Sequence, residues 1–214
     1  MSVLKLPQLE VDSMLTAERI VASPTVYGVG RNDVIFQVCV DRVRLWQYDL
    51  WKGMLMRCFC EGYKAKHPAY RDATCCDEWL SFANFLEWCN KEVDYKGKPE
   101  GMCLDKDLIV RGNKTYSPST CSFVPVAVNN LLLDRGNMRG KWPVGVRLHK
   151  RANRYIARLS CDGKDRHIGI YPTPEQAFAA YKVAKEAQIK AVALRHKDVL
   201  KPAVFESLID WSIL

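Results

Sequence analysis

Residues 144–171, VGVRLHKRANRYIARLSCDGKDRHIGIY, decide the fold, and the rest of the chain can be placed around them. Val144, Val146 and Leu148 alternate with Gly145, Arg147 and His149. Tyr155, Ala157 and Leu159 alternate with Arg154, Ile156 and Arg158. A period of two sends successive side chains to opposite faces of a strand, so each run has an apolar face and a polar one. In a third run, 166–171, Ile168 and Ile170 are expected on the face opposite His167 and Gly169. Turns at 150–153 and 162–165 join the three runs into an antiparallel meander. Thr173 then opens a long helix, with Pro174 at its first position and Gln176 completing a capping box. The helix is expected to run to about His196, laying Ala177, Tyr181, Ala184 and Ala191 against the apolar face of the sheet.

If that face packs on the helix, the other one is fixed. It displays Arg147, His149, Arg154, Ile156, Arg158, Ser160 and His167, with Lys150 and Arg151 at its edge. A basic ribbon of two or three strands fits the major groove of duplex DNA, about 12 Å wide. Arginine forks match guanine edges and phosphates alike. The charge balance agrees: residues 137–197 carry 14 Lys and Arg against 4 Asp and Glu, whereas residues 1–136 carry 17 of each. All the excess behind the formal net charge of +8 therefore lies in one segment, as in a polyanion-binding module joined to a neutral body.

With 48% hydrophobic and 26% charged residues, the 214-residue chain has a globular composition, neither disordered nor collagenous. No apolar run approaches the roughly 18 residues that span a bilayer. Pro7, Glu10 and Asp12 interrupt the N-terminal apolar residues, so no secretory signal and no membrane partner are expected. The expectation is a cytoplasmic protein whose nine cysteines are reduced, mostly buried thiols. Oligomeric state is not legible.

Upstream of the basic segment, residues 1–30 read as an arm ending in the Gly28-Val29-Gly30 turn. Helical spacing over 43–58 and 77–90 gathers four of the six tryptophans, Trp46, Trp51, Trp79 and Trp88, into an aromatic core. A polar turn at 93–101 precedes an apolar run, 102–110, broken by Asp105, Lys106 and Asp107. A loop at 111–119, a short strand at 121–125, a helix at 127–133 bearing Asn129 and Asn130, and a linker at 134–143 follow. The expected class is α+β: a mainly helical body at 31–136, then a three-stranded antiparallel sheet on one long helix at 137–197, and a tail at 198–214.

The blocks Val144-Gly145-Val146-Arg147, Tyr155-Ile156-Ala157-Arg158-Leu159, Ile168-Gly169-Ile170-Tyr171 and Thr173-Pro174-Glu175-Gln176-Ala177 carry a resemblance. In that order and spacing they resemble the three-strand-plus-helix DNA-binding domain of plant APETALA and ethylene-response factors, which also occurs in phage and mobile-element integrases and endonucleases. The resemblance implies a sheet that enters the major groove, with Arg147 on the first strand and Arg154 and Arg158 on the second as contact positions. Tyr155 and His167 stand where that family has tryptophan or phenylalanine, so base preference does not carry over.

Further upstream, Leu104-Asp105-Lys106-Asp107-Leu108, Gly112-Asn113-Lys114, Tyr116-Ser117-Pro118, Cys121-Ser122-Phe123-Val124-Pro125 and Asn129-Asn130 resemble phage and mobile-element proteins of the His-Asn-His (HNH) endonuclease superfamily. That resemblance implies an HNH-like ββα body holding one divalent metal. Asp105, Lys106, Asp107 and Asn113 are the catalytic candidates, with Asn113 as the loop brace. Asp105 or Asp107 supplies one hard oxygen ligand and Asn129 or Asn130 another, which suits Mg²⁺ or Mn²⁺. Phosphodiester cleavage needs such an ion and a base. There is no histidine between His67 and His149, however, and Lys106 occupies the general-base position. Cys58, Cys60, His67, Cys75 and Cys76 cluster without the spacing of a zinc knuckle, so zinc is not expected. The expected function is binding of double-stranded DNA with metal-dependent nicking or cleavage. The alternative is a non-catalytic DNA-binding protein, regulatory or anti-defence, that keeps the HNH-like fold as a scaffold.

Overall fold

The computed structural model describes residues 25–93, 100–132, 141–161 and 163–213. Most of the expected arm, the polar turn and most of the linker lie outside them. The chain forms two compact units, 1–100 with 104–122, and 101–103 with 123–214.

In the first unit, Asp41 and Arg42 turn the chain between β1 (Cys39–Val40) and β2 (Val43–Arg44), both with positive φ. The helix expected from residue 43 therefore starts later, as α1 (Trp46–Phe59). It is followed by α2 (Glu61–Lys66), a 3₁₀ turn at Pro68–Tyr70 and β3 (Thr74–Cys75). The helix expected at 77–90 is split. Asp77–Leu80 is a 3₁₀ turn, Ser81 is extended, and α3 runs Phe82–Val93. The break has a cause: Arg31 N donates to Leu80 O and Phe82 N to Arg31 O, which pulls Ser81 into a bridge with Arg31. Asp33 Oδ1 then accepts from Ala83 N in the first turn of α3 at 2.9 Å.

Trp51, Met54, Leu55, Trp79, Phe82 and Phe85 are fully buried and Trp88 is buried, so three of the four tryptophans join the core the helical spacing predicts, whereas Trp46, at the start of α1, is half-buried. Trp51 Nε1 donates to Trp79 O at 2.7 Å, which satisfies the indole inside that core. Gly30 lies where a Cβ would come within 2.3 Å of Leu55 Cδ1, so the turn needs a residue without a side chain. Two short strand pairs follow, the first within this unit and the second at the division, leading into the second unit. β3 runs parallel to β5 (Thr115–Tyr116), and β4 (Met102–Asp105) pairs with β6 (Ser122–Pro125), which leads directly into α4 (Val126–Leu131).

The second unit holds the antiparallel sheet β7 (Val146–His149), β8 (Arg154–Cys161) and β9 (Lys164–Tyr171), in that spatial order. The long helix α5 (Pro174–Arg195) packs on it, and Thr173 Oγ1 accepts from Gln176 N at 3.3 Å as the cap predicts. Val146, Ala157, Leu159, Ala177 and Tyr181 form the core between sheet and helix, with Tyr155 and Ile168 against it. Two expectations need correction. A register shift opposite Ala157 and Arg158 puts Ile168 on the core side but leaves Ile170 paired with Ile156 on the outer face, 46% exposed. An extra residue in a strand resets its alternation, which is why Ile168 and Ile170 part company. Ala191 is exposed, and Ile189 and Ala193 are buried instead. There α5 turns a different face inward, toward α6 (Pro202–Ile209), whose Val204 and Leu208 are fully buried within the expected tail.

Candidate nucleic-acid interface and carboxylate loop

The outer face of the sheet is set by its register. Arg147 pairs with Ile156 and Ile156 with Ile170, while His149 pairs with Arg154. Beyond the bulge, Arg158 pairs with His167 and Ser160 with Asp165. Arg147, Lys150, Arg151, Arg154 and His167 are exposed, and His149, Ile156 and Arg158 are half-buried. All seven sequence-derived DNA-contact candidates thus lie on or beside one face of one sheet. The apolar pair Ile156 and Ile170 sits within it, the kind of surface that meets a thymine methyl in a groove.

Two of the seven have other engagements. Arg158 Nη1 donates to Asp165 Oδ2 at 3.2 Å, and its Nε has no hydrogen-bond partner among the described residues. His149 Nδ1 accepts from Ala152 N at 3.1 Å, which braces the β7–β8 turn and leaves Nε2 as the nitrogen that carries the proton in the neutral ring. Asp165, which engages Arg158 on this face, is a residue that sequence reasoning missed. Its contact with Arg158 depends on the bulge, and no periodicity reports a bulge.

The carboxylate loop lies in the first unit. β4 delivers Asp105 to its end, where Oδ1 accepts from Asp107 N at 2.9 Å and Leu108 N at 2.8 Å. Burial, and then the neighbouring charge of Asp107, push the Asp105 carboxyl up to about 6, although the two backbone donors oppose the shift. Asn113 spans the loop: its Nδ2 donates to Lys106 O at 2.6 Å and to Thr115 O at 2.7 Å. Lys106 is 8% exposed, and its Nζ donates to Asp107 Oδ2 at 3.1 Å and Asn113 O at 3.3 Å. At the general-base position of the resemblance, Lys106 thus stands as a donor to two acceptors. Asn129, half-buried, and Asn130, exposed, stand on α4 in the second unit.

Among the described residues, no group of three or more His, Cys, Asp or Glu side chains is gathered to hold a metal ion. Mg²⁺ commonly takes only one or two carboxylates, with waters and substrate phosphates. Asp105 and Asp107 meet that minimum, but Lys106 already occupies one oxygen of Asp107. An ion at this loop would share Asp107 with Lys106, through its other oxygen, or displace that contact. The cysteines depart from the mostly buried set expected: Cys58, Cys89 and Cys121 are buried, Cys39 is exposed and the rest, Cys60, Cys75 and Cys76 among them, are half-buried, while desolvation raises Cys58 to about 11 and raises Cys75 as well.

Comparison with known protein families, with curated proteins and with solved structures gives no match. The chemistry of these two surfaces is therefore the basis for any functional assignment. No described helix is long and apolar enough to cross a membrane.

Proposed function

We propose that the chain binds double-stranded DNA through the outer face of β7–β9. The observation that carries this reading is the exposed pair Arg147 and Arg154, one on each of two adjacent strands, on a face whose described acid, Asp165, is paired with Arg158. A sheet presenting two unopposed guanidiniums flanked by Lys150 and Arg151 supplies both base-edge forks and phosphate contacts. Anisotropy titration of the full chain on labelled duplex DNA tests it. Binding that weakens steeply with salt supports the reading, and salt-independent or undetectable binding contradicts it.

Metal-dependent nicking is the second reading, favoured by Asp105: a buried carboxyl at the end of β4, raised to about 6, in a loop braced by Asn113. Supercoiled plasmid incubated with Mg²⁺ or Mn²⁺, with and without chelator, decides it. Nicking that Asp105→Ala abolishes supports an HNH-like endonuclease. Intact plasmid under every ion leaves DNA binding alone, regulatory or anti-defence, with this loop as scaffold.

A further inference from the structure

The first unit carries a second aromatic group that its core does not use. α2 buries no residue, and neither does the 3₁₀ turn that follows it. Yet this stretch places Tyr63, His67 and Tyr70 in a ring series. Tyr63 lies 4.2 Å from the His67 ring and 5.9 Å from the Tyr70 ring, centroid to centroid. Tyr63 and Tyr70 are half-buried and His67 is exposed. Rings that are only partly buried forgo some of the burial that normally stabilises them, so a series of three within eight residues calls for another use.

The charges around the series point one way. Arg57 stands 5.8 Å above the Tyr70 ring and donates through Nε to Tyr116 Oη at 2.9 Å, with no carboxylate partner among the described residues. Lys64 is half-buried, and Lys66 and Arg71 are exposed on the same stretch, against Glu61 and Asp72. Rings interleaved with cations are the composition of a platform for unpaired nucleotides. Each base has a π-face to stack, and the cations follow the phosphates.

We propose that Tyr63, His67 and Tyr70, with Arg57, Lys64 and Lys66, bind single-stranded DNA by base stacking. This site is separate from the duplex-binding sheet and does not rest on that reading. A stacking site reads no sequence but needs bases, which distinguishes it from a phosphate-only patch.

The test is anisotropy titration of the full chain with a labelled oligothymidylate of about twelve nucleotides and with its abasic counterpart. We expect the abasic strand to bind about tenfold more weakly or worse, because each stacked base contributes substantially. Tyr63→Leu with Tyr70→Leu is expected to lower oligothymidylate affinity by about tenfold, with duplex affinity within about twofold of wild type. The Phe pair, which keeps the rings, is expected to bind as wild type does. Equal binding of abasic and base-bearing strands overturns the proposal, whatever the variants do. So does single-strand binding that survives the Leu pair, or that is lost in Arg147→Ala with Arg154→Ala while the Leu pair keeps it.

Discussion

Asp105 is 9% exposed and is held by two backbone N–H groups, yet it titrates above its ordinary value because burial and Asp107 outweigh them. The sign follows from linkage. Its folded carboxyl, at about 6, lies above the model-compound value of 3.8, so the fold prefers the protonated form. That contribution is fully present below the unfolded value and is lost as pH rises through the folded one. We expect Asp105→Asn, which keeps the oxygen acceptor without the charge, to gain thermal stability relative to wild type as pH is raised from about 4 to about 7.5. A difference in melting temperature that stays flat over that range contradicts the assignment. Gly145, like Gly30, is a residue whose identity is forced. Its φ is +75°, and a Cβ there would meet the ring of Tyr181. Gly145→Ala is expected to cost about 2 kcal/mol or more, read by denaturant unfolding, from left-handed strain and overpacking together.

Among the elements, the sheet's outer face gives the sharpest expectation, because one carboxylate controls one arginine. Asp165→Asn removes the negative charge and frees Arg158, so duplex affinity should rise and the salt dependence steepen by about one counterion. Unchanged affinity and slope would place Arg158 outside the interface. The sequence discloses this face well, since side-chain alternation is a local property and Thr173, Pro174 and Gln176 cap α5 by local chemistry. It does not disclose the bulge that parts Ile168 from Ile170, because an inserted residue leaves composition and spacing unaltered. The β3–β5 pair is equally silent: two residues at each end, 41 positions apart, have no period to detect. At the carboxylate loop the residue types are legible in the sequence. The acceptor that engages Lys106, a carbonyl seven residues away, is a product of the folded loop.

At the scale of the whole molecule, charge is segregated. The excess of Lys and Arg falls in residues 137–197, and the residues before them are balanced. The carboxylate loop lies in a neutral unit and the exposed arginine face in a basic one, so the proposed reading assigns duplex binding to the latter. Asp105→Ala is accordingly expected to leave duplex affinity within a few-fold, whether or not the wild type nicks plasmid; loss of binding on that substitution would mean the loop itself holds DNA. The most direct test of the central claim is anisotropy titration of the full-length wild type and of Arg147→Ala with Arg154→Ala on duplex DNA across a salt series. Each arginine that contacts a base edge is expected to contribute about 1–3 kcal/mol, and each that contacts only phosphate to lower the salt slope by about one. The double variant should therefore bind at least about tenfold more weakly with its fold intact by circular dichroism. If it stays folded and binds with the affinity and slope of the wild type, the β7–β9 face is not the DNA surface.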